Sequence, residues 1–426
     1  MKSAKQFLED HRLRASDIDM QGLVDIFINE METGLGGKGG SLRMIPTYIE
    51  AENDFLTDVP VLAIDAGGTN FRTALISFDQ KGTLVCGEIK NFRMPGLDRE
   101  VSSREFFSIM ADYVRPLAEK SERIGFCFSY PTEILPNRDG RLIQFCKEVQ
   151  APEVVGQLIG MNLLESLGTP GKHLVLLNDT VATLLAGKSA SPGKQFDSFI
   201  GYILGTGTNT CYIERNRNII KNRNLDSGKS QIINIESGNF AKAPRTDLDL
   251  LLDNSTMDPG NYSFEKMFSG GYFGGLCLTV LKAAGLEGVL SAGSAALLNN
   301  LSGLTSNDAS DFARNDGSVD NPLKTLSSER IDSESARVII DTLIDRAAKL
   351  VASNIAAVVL KTGRGKSPSK PVLITIDGTT FYKMFRLRER FEKYLGEFLS
   401  DGRARYVEFT EVQQSSLIGA ALAALI

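Results

Sequence analysis

The apolar positions of this chain fall into short continuous runs separated by polar, glycine-bearing turns, a pattern that predicts buried strands. Val61–Ile64, Phe71–Phe78 and Leu84–Phe92 are three such runs, joined through Gly67-Gly68 and through Asp79-Gln80-Lys81-Gly82. Ser103–Ala118 switches to a helical period, with Phe106, Phe107, Met110 and Val114 on one side. Arg123–Phe128, Leu142–Phe145 and Leu174–Leu177 read as further strands, and Val154–Leu167 and a segment opening at Val181 read as helices. The strand pattern then restarts at Phe199–Leu204, Thr210–Glu214 and Ile232–Ile235. Thr246–Gly260 is polar and reads mostly as loop, Phe264–Ala284 as a helix holding Gly270, Gly271, Gly274 and Gly275, and Leu286–Ala313 as short helices. Ser333–Leu360 predicts the longest helix, followed by a strand at Val372–Ile376, a helix at Phe385–Leu399, a strand at Tyr406–Phe409 and an Ala/Leu-rich helix at Ser416–Ile426 that must pack on a core. Ahead of all this, residues 1–30 carry one or two amphipathic helices and Leu42–Ile49 is extended.

Strands alternating with helices predict an α/β fold. A chain of 426 residues exceeds one comfortable core, so two domains are expected. Ile64–Arg72 and Leu204–Tyr212 use the same device, an apolar strand entering a Gly/Thr turn and returning, which hints at an internal repeat.

Charge and cysteine usage narrow the function classes. The net charge of -5, from 47 basic and 52 acidic residues, argues against nucleic acid as the main partner. No apolar run approaches a membrane span, and Met1–Glu9 lacks the apolar core of a secretion signal, so a cytoplasmic protein without a membrane partner is expected. The five cysteines are widely spaced, and His11 and His173 are the only histidines, which excludes a structural zinc motif and a histidine triad.

The chemistry concentrates where apolar strands end. Asp65 enters Gly67-Gly68-Thr69; Ser129, Asn178-Asp179, Gly205-Thr206-Gly207, Glu236 and Asp377-Gly378-Thr379 follow other strands. Ligands of open α/β sheets bind beyond strand ends. Glycine turns let backbone amides reach phosphate, and carboxylates suit a metal ion, a base and hydroxyl recognition. A nucleoside triphosphate plus a sugar or other polyol matches that inventory. Asp179 also stands where a residue could simply cap the helix that follows.

In these motifs the chain resembles the eukaryotic-type hexokinase and glucokinase family of the actin-like ATPase superfamily. The similarity runs through Asp65-Ala66-Gly67-Gly68-Thr69-Asn70-Phe71-Arg72, Phe128-Ser129-Tyr130-Pro131, Leu177-Asn178-Asp179-Thr180, Gly205-Thr206-Gly207-Thr208-Asn209, Asn234-Ile235-Glu236-Ser237-Gly238-Asn239-Phe240 and Phe264-Glu265-Lys266-Met267-Phe268-Ser269-Gly270-Gly271-Tyr272. It implies a two-domain ribonuclease H-like fold with a cleft between a small domain, 57–186 plus 415–426, and a large one, 1–56 plus 187–414. The implied activity is ATP-dependent phosphorylation of the 6-hydroxyl of a hexose, with Mg2+. Alternatives are a kinase preferring mannose, fructose or an amino sugar, and a sugar-binding regulator with little turnover.

By the same resemblance Asp179 is the general base, with Lys147 also catalytic. Ser129, Cys146, Lys147, Asn178, Asp179, Asn209 and Glu236 would surround the sugar. Asp65, Gly67, Gly68, Thr69, Asn70 and Arg72 would meet the nucleotide from one side, with Asp65 near the magnesium ion, directly or through water. Gly205, Thr206, Gly207, Asp377, Gly378, Thr379, Ser416 and Gly419 would line the rest of the nucleotide site. The protein is expected as a monomer or homodimer. Three positions depart from the family pattern: Cys146 replaces a threonine, Gly275 replaces a glutamate near the sugar's anomeric end, and Ser415–Ala421 replaces a glycine-rich adenosine signature. They leave the preferred hexose and nucleotide open.

Overall fold

The computed structural model describes residues 2–50, 54–145, 149–190, 193–222, 224–315, 321–328, 330–400 and 402–426. In chain order its strands are β1 (Ile45–Pro46), β2 (Val61–Gly67), β3 (Asn70–Phe78), β4 (Leu84–Cys86), β5 (Lys90–Arg93), β6 (Arg123–Phe128), β7 (Thr132–Ile134), β8 (Gly140–Leu142), β9 (His173–Leu177), β10 (Ser198–Leu204), β11 (Thr208–Arg215), β12 (Ser230–Asn234), β13 (Val372–Asp377) and β14 (Val407–Thr410). Its helices are α1 (Ala4–Asp10), α2 (Met20–Leu35), α3 (Ser103–Ala118), α4 (Ile159–Leu167), α5 (Asp179–Ser189), α6 (Asp247–Asn254), α7 (Phe273–Leu286), α8 (Ala292–Asn300), α9 (Ser306–Arg314), α10 (Arg330–Thr362), α11 (Thr379–Lys383), α12 (Leu387–Ser400) and α13 (Ser415–Leu425).

Two mixed sheets carry the fold, and they repeat one plan. The first runs β4-β3-β2-β6-β9, with β5 also on β3; the second runs β1-β12-β11-β10-β13-β14. In each, an antiparallel hairpin (β2–β3 or β10–β11) is extended by two parallel strands on the side of its first arm. The repeat read from the two glycine turns is therefore a repeat of sheet topology. Because the paired hairpin arms occupy equivalent places, both glycine turns lie at the same end of their sheets.

Three apolar clusters fill the spaces. Phe71, Phe106, Phe126 and Leu163 pack α3 and α4 against one face of the first sheet. α10 lies on the outer face of the second, with α1, α2, α7 and α12 packed around it in one apolar cluster. Between the sheets lie α5 and α13: Val61, Ala63 and Leu177 of the first sheet and Cys211 and Ile232 of the second share one cluster with Leu184, Leu417 and Leu422. α13, apolar on every side, is buried along nearly its whole length, the environment such a helix requires. Its backbone approaches its neighbours closely. A side chain on Gly419 would meet the Ala182 carbonyl oxygen at 2.0 Å, and one on Gly125 of β6 the Ala420 carbonyl oxygen at 1.9 Å. No helix among the described residues is long and apolar enough to cross a membrane.

Several elements differ from the sequence expectation. Thr246–Gly260 is not mostly loop: α6 forms there, started by a capping box in which Thr246 and Asp249 satisfy each other's backbone amides. Asp249 is then buried against Arg346 of α10, whose two terminal nitrogens donate to it at 2.7 and 2.8 Å. A polar sequence thus hides a buried ion pair. The run Leu84–Phe92 splits into β4 and β5, which pair with different parts of β3. Leu142–Phe145 yields only the end of β8, and the helix expected at Val154–Leu167 starts at Ile159 after a short turn. The glycines of Phe264–Ala284 confine α7 to Phe273–Leu286.

Candidate active site

Each glycine hairpin presents its turn to one cleft. At the first, β2 delivers Asp65, 5% exposed, and Arg72 on β3 stands directly opposite in register. Arg72 Nε donates to Asp65 Oδ2 at 2.8 Å and Nη2 donates to the same oxygen. Burial pushes the Asp65 carboxyl upward; the Arg72 guanidinium opposes this, and Asp377 across the cleft reinforces it. Gly68, at φ +57°, occupies the left-handed region, and it, Thr69 and Asn70 are exposed at the tip. Ser129, just after β6, donates its amide to the Ala66 carbonyl at 3.0 Å and lies beside Gly67.

At the second hairpin, Gly205-Thr206-Gly207 bridges β10 and β11. The Gly205 carbonyl accepts from Thr380 Oγ1 and from the Gly270 amide, both at 2.9 Å, and the Thr206 carbonyl accepts from Gly271 N at 2.8 Å. Glu265 Oε2 accepts from Thr208 N at 2.8 Å. The turn is thus clamped from behind, with Thr206 itself exposed. Asp377 ends the neighbouring β13 and accepts from Ser415 Oγ. Gly378 follows at φ +120°, where a side chain would sit 2.3 Å from the Leu204 carbonyl oxygen. Thr379 opens α11 and is exposed.

Asp179 is the first residue of α5. Asn178 is its N-cap, its Oδ1 accepting from Thr180 N at 3.0 Å, so the capping role belongs to the neighbour. Asp179 Oδ1 accepts from the same amide at 2.8 Å. Burial, then the Asp65 charge, and less strongly Glu236, raise the Asp179 carboxyl to about 6, against the lowering effect of the Thr180 amide. Asp179 therefore senses both Asp65 on one side and Glu236 on the other.

A network of amides forms the far wall. Asn209 Nδ2 donates to Asn234 Oδ1 at 2.7 Å and to Glu236 Oε1 at 3.2 Å, while Asn234 Nδ2 donates to Glu236 Oε1 at 2.8 Å. The Asn209 carbonyl is held by Thr210 N at 2.7 Å and Ser237 N at 3.3 Å, which turns its NH2 toward the cleft. Glu236 has φ 60°, and its carboxyl is raised by burial against the pull of Asn234, Arg43 and Asn209. Tyr130, Asn178, Asn234 and Glu236 line one cavity together with Thr47 and Phe128.

The structure therefore gathers Asp65, Gly67, Gly68, Thr69, Asn70, Arg72, Ser129, Asn178, Asp179, Gly205, Thr206, Gly207, Asn209, Glu236, Asp377, Gly378 and Thr379 around the turns at one end of the two sheets. Cys146 and Lys147 lie outside the described residues. Gly419 is buried where α13 crosses α5, close against the Ala182 backbone. Ser416 is half-buried one turn before it. Gly275 stands in the first turn of α7 facing Leu252, with no carboxylate at that point. Tyr130 and Glu265, both inside the matching motifs, and Thr380 have site contacts that the sequence did not predict, because these join segments distant in the chain; the Tyr130 hydroxyl donates to the Gly68 carbonyl at 2.9 Å. One further side chain braces the cleft: Arg72 Nη1 donates to Gln414 Oε1 at 2.9 Å, and Gln414 is the left-handed residue that precedes α13.

Family models described as hexokinase match residues 4–189 and residues 199–426. The chain is 30% identical to hexokinase-1 of Schizosaccharomyces pombe, over 94% of this chain and 86% of that protein. It is 28% identical to hexokinase-3 of Oryza sativa subsp. japonica, over 96% and 87%. Its fold is that of the hexokinase from Schistosoma mansoni complexed with glucose: the TM-score is 0.80 at 23% identity, over 100% of both chains.

Proposed function

The chain belongs to the hexokinase family and is an ATP-dependent sugar kinase; from that premise we propose that it transfers the γ-phosphoryl group of ATP to the 6-hydroxyl of glucose, with Asp179 as general base. The observation that carries this reading is the Asp179 carboxyl at the start of α5, raised to about 6 and standing between the glycine hairpins and the amide wall. A base whose proton affinity lies near the working pH is ionised in the resting enzyme, yet can accept a proton as the hydroxyl oxygen attacks phosphorus. The new oxygen–phosphorus bond forms as the bond to the β-phosphate oxygen breaks, and ADP leaves.

Positioning is most of the task in phosphoryl transfer. Asn178, Asn209 and Glu236, with Ser129 and the 146–147 pair, would hold the sugar hydroxyls. The turns at 67–69 and 205–207 would meet the phosphates from opposite sides, with Thr379 and Ser416 toward the nucleoside. Glu236 already accepts two amide donors, so it offers a carboxylate whose direction is set before the sugar arrives. A magnesium ion would neutralise phosphate charge. Asp65, one of whose oxygens is held by Arg72, would help hold the ion, directly or through a water. The halves 57–186 with 415–426 and 1–56 with 187–414 would close over the sugar and exclude water.

Gly275 gives the second reading its support. By the family resemblance a glutamate at this position meets the anomeric end of the sugar, so a glycine there favours a kinase preferring mannose, fructose or an amino sugar. The test is ATP-dependent phosphorylation of glucose, mannose, fructose, glucosamine and N-acetylglucosamine by the native protein and by Asp179→Asn. Strong glucose turnover that falls by about 10²–10⁴-fold in the variant is the expected result. Turnover that survives the substitution removes Asp179 as base; sugar binding without turnover in the native protein favours the regulator.

A further inference from the structure

We propose that Tyr130 is a positioning residue for the first phosphate turn, and that it ties this turn to Phe145. The inference rests on the reading that residues 67–69 grip the phosphates of ATP.

One peptide plane sets the direction of the turn's donor. The Tyr130 hydroxyl donates to the Gly68 carbonyl at 2.9 Å. That carbonyl and the Thr69 amide belong to one planar, trans peptide and point in opposite directions. Holding the oxygen therefore aims the Thr69 N–H away from Tyr130, toward the open side of the turn. The next carbonyl is held as well, since Met94 N donates to Thr69 O at 3.1 Å. The Thr69 amide has no acceptor among the described residues, as a phosphate-binding donor requires.

Without these two anchors the tip would have little to fix it. Gly68 is left-handed at φ +57°, exposed, and a side chain built on it would meet nothing within 4 Å. A glycine in open space samples many backbone states. Tyr130, by contrast, is 4% exposed and rigidly seated. Its ring packs against Phe128 at 4.9 Å and edge-on against Phe145 at 5.1 Å between centroids. Phe145 immediately precedes the Cys146-Lys147 pair, and Tyr130 also lines the cavity that holds Asn178 and Glu236. One side chain thus touches the sugar-side segment through its ring and the phosphate turn through its hydroxyl. Phenylalanine at this position would keep the first contact and lose the second.

That difference defines the experiment. Tyr130→Phe removes one oxygen and keeps the ring packing, so the fold is retained. Three quantities are compared with the native protein: amide hydrogen exchange of residues 67–70 without ligand, ATP affinity by calorimetry, and KM for ATP and for the sugar. The proposal expects exchange about 3- to 10-fold faster at the turn, ATP binding weaker by a similar factor, as loss of one hydrogen bond implies, and an unchanged sugar KM. Unaltered exchange and ATP affinity overturn it. So does an equal rise in both KM values, which marks a general structural role. A native protein that phosphorylates no hexose refutes the proposed function alone, because exchange and ATP binding still decide the role of Tyr130.

Discussion

Replacing Asp179 by Asn should make the protein more stable while it destroys activity, and the gain should depend on pH. Asp179 is raised from 3.8 to about 6 in the folded state, by burial and by Asp65 and Glu236. In the unfolded chain the same group ionises near 3.8. Below that value both states carry the proton and the group contributes nothing. As pH rises, the unfolded chain ionises first, so the folded state loses stability progressively, and the full penalty is present above about 6. Two units correspond to about 3 kcal/mol, a ceiling because water in the cleft screens the charge, so about 1–3 kcal/mol is expected. Asparagine removes the charge and keeps an oxygen for the Thr180 amide. For a chain of 426 residues that gain raises the thermal midpoint by about 1–3 °C at pH 7.5. At pH 4.5 the gain shrinks to roughly a third, because most of the titration lies above that pH. The assay is a scanning-fluorimetry series on both proteins from pH 4.5 to 8, paired with the pH–rate profile of the native enzyme, whose acid limb should fall below about pH 6. A variant less stable than the parent at pH 7.5, or stabilised equally at every pH, would refute the electrostatic argument.

Three further outcomes follow from contacts described above. Glu236→Gln keeps the amide wall but removes its charge, and should raise the sugar KM by about 10- to 100-fold with little change in the ATP KM, as loss of a charged hydrogen bond implies; steady-state kinetics in both substrates checks it. Gly419→Ala places a methyl group 2.0 Å from the Ala182 oxygen and should destabilise by about 1–3 kcal/mol or more through forced separation of α5 and α13, measured by urea denaturation. Arg346→Met strands Asp249 in the core without its partner and should destabilise by about 3–5 kcal/mol; a second variant, Arg346→Met with Asp249→Asn, should recover much of the loss.

The apolar strands and their two glycine turns were legible because short buried runs and Gly-Gly or Gly-Thr-Gly punctuation are local signals. Asp65, Asp179 and Asp377 could be named for the same reason, each ending such a run. α6 was not legible: its capping box and its buried Asp249 look like solvated polar residues until Arg346, about a hundred positions later, is brought against them. The close packing of Gly419 was hidden too, since its partner Ala182 lies more than two hundred positions earlier and meets it only when α5 and α13 cross. The clamps on the two turns, Tyr130 on one and Glu265 with Thr380 on the other, depend on side chains whose partners are set only by the assembled sheets.

The position of α13 has a consequence for how the molecule is made. The first sheet has all its strands by Leu177, yet the helix that fills its inner face comes after every other described element. During synthesis that face stays uncovered while more than two hundred further residues emerge, and its closure joins segments far apart in sequence, a slow event by the usual dependence of rate on contact separation. A fragment ending at Ser189 should therefore expose an apolar sheet and aggregate. Supplying Ser415–Leu425 as a separate peptide is the natural way to rescue it.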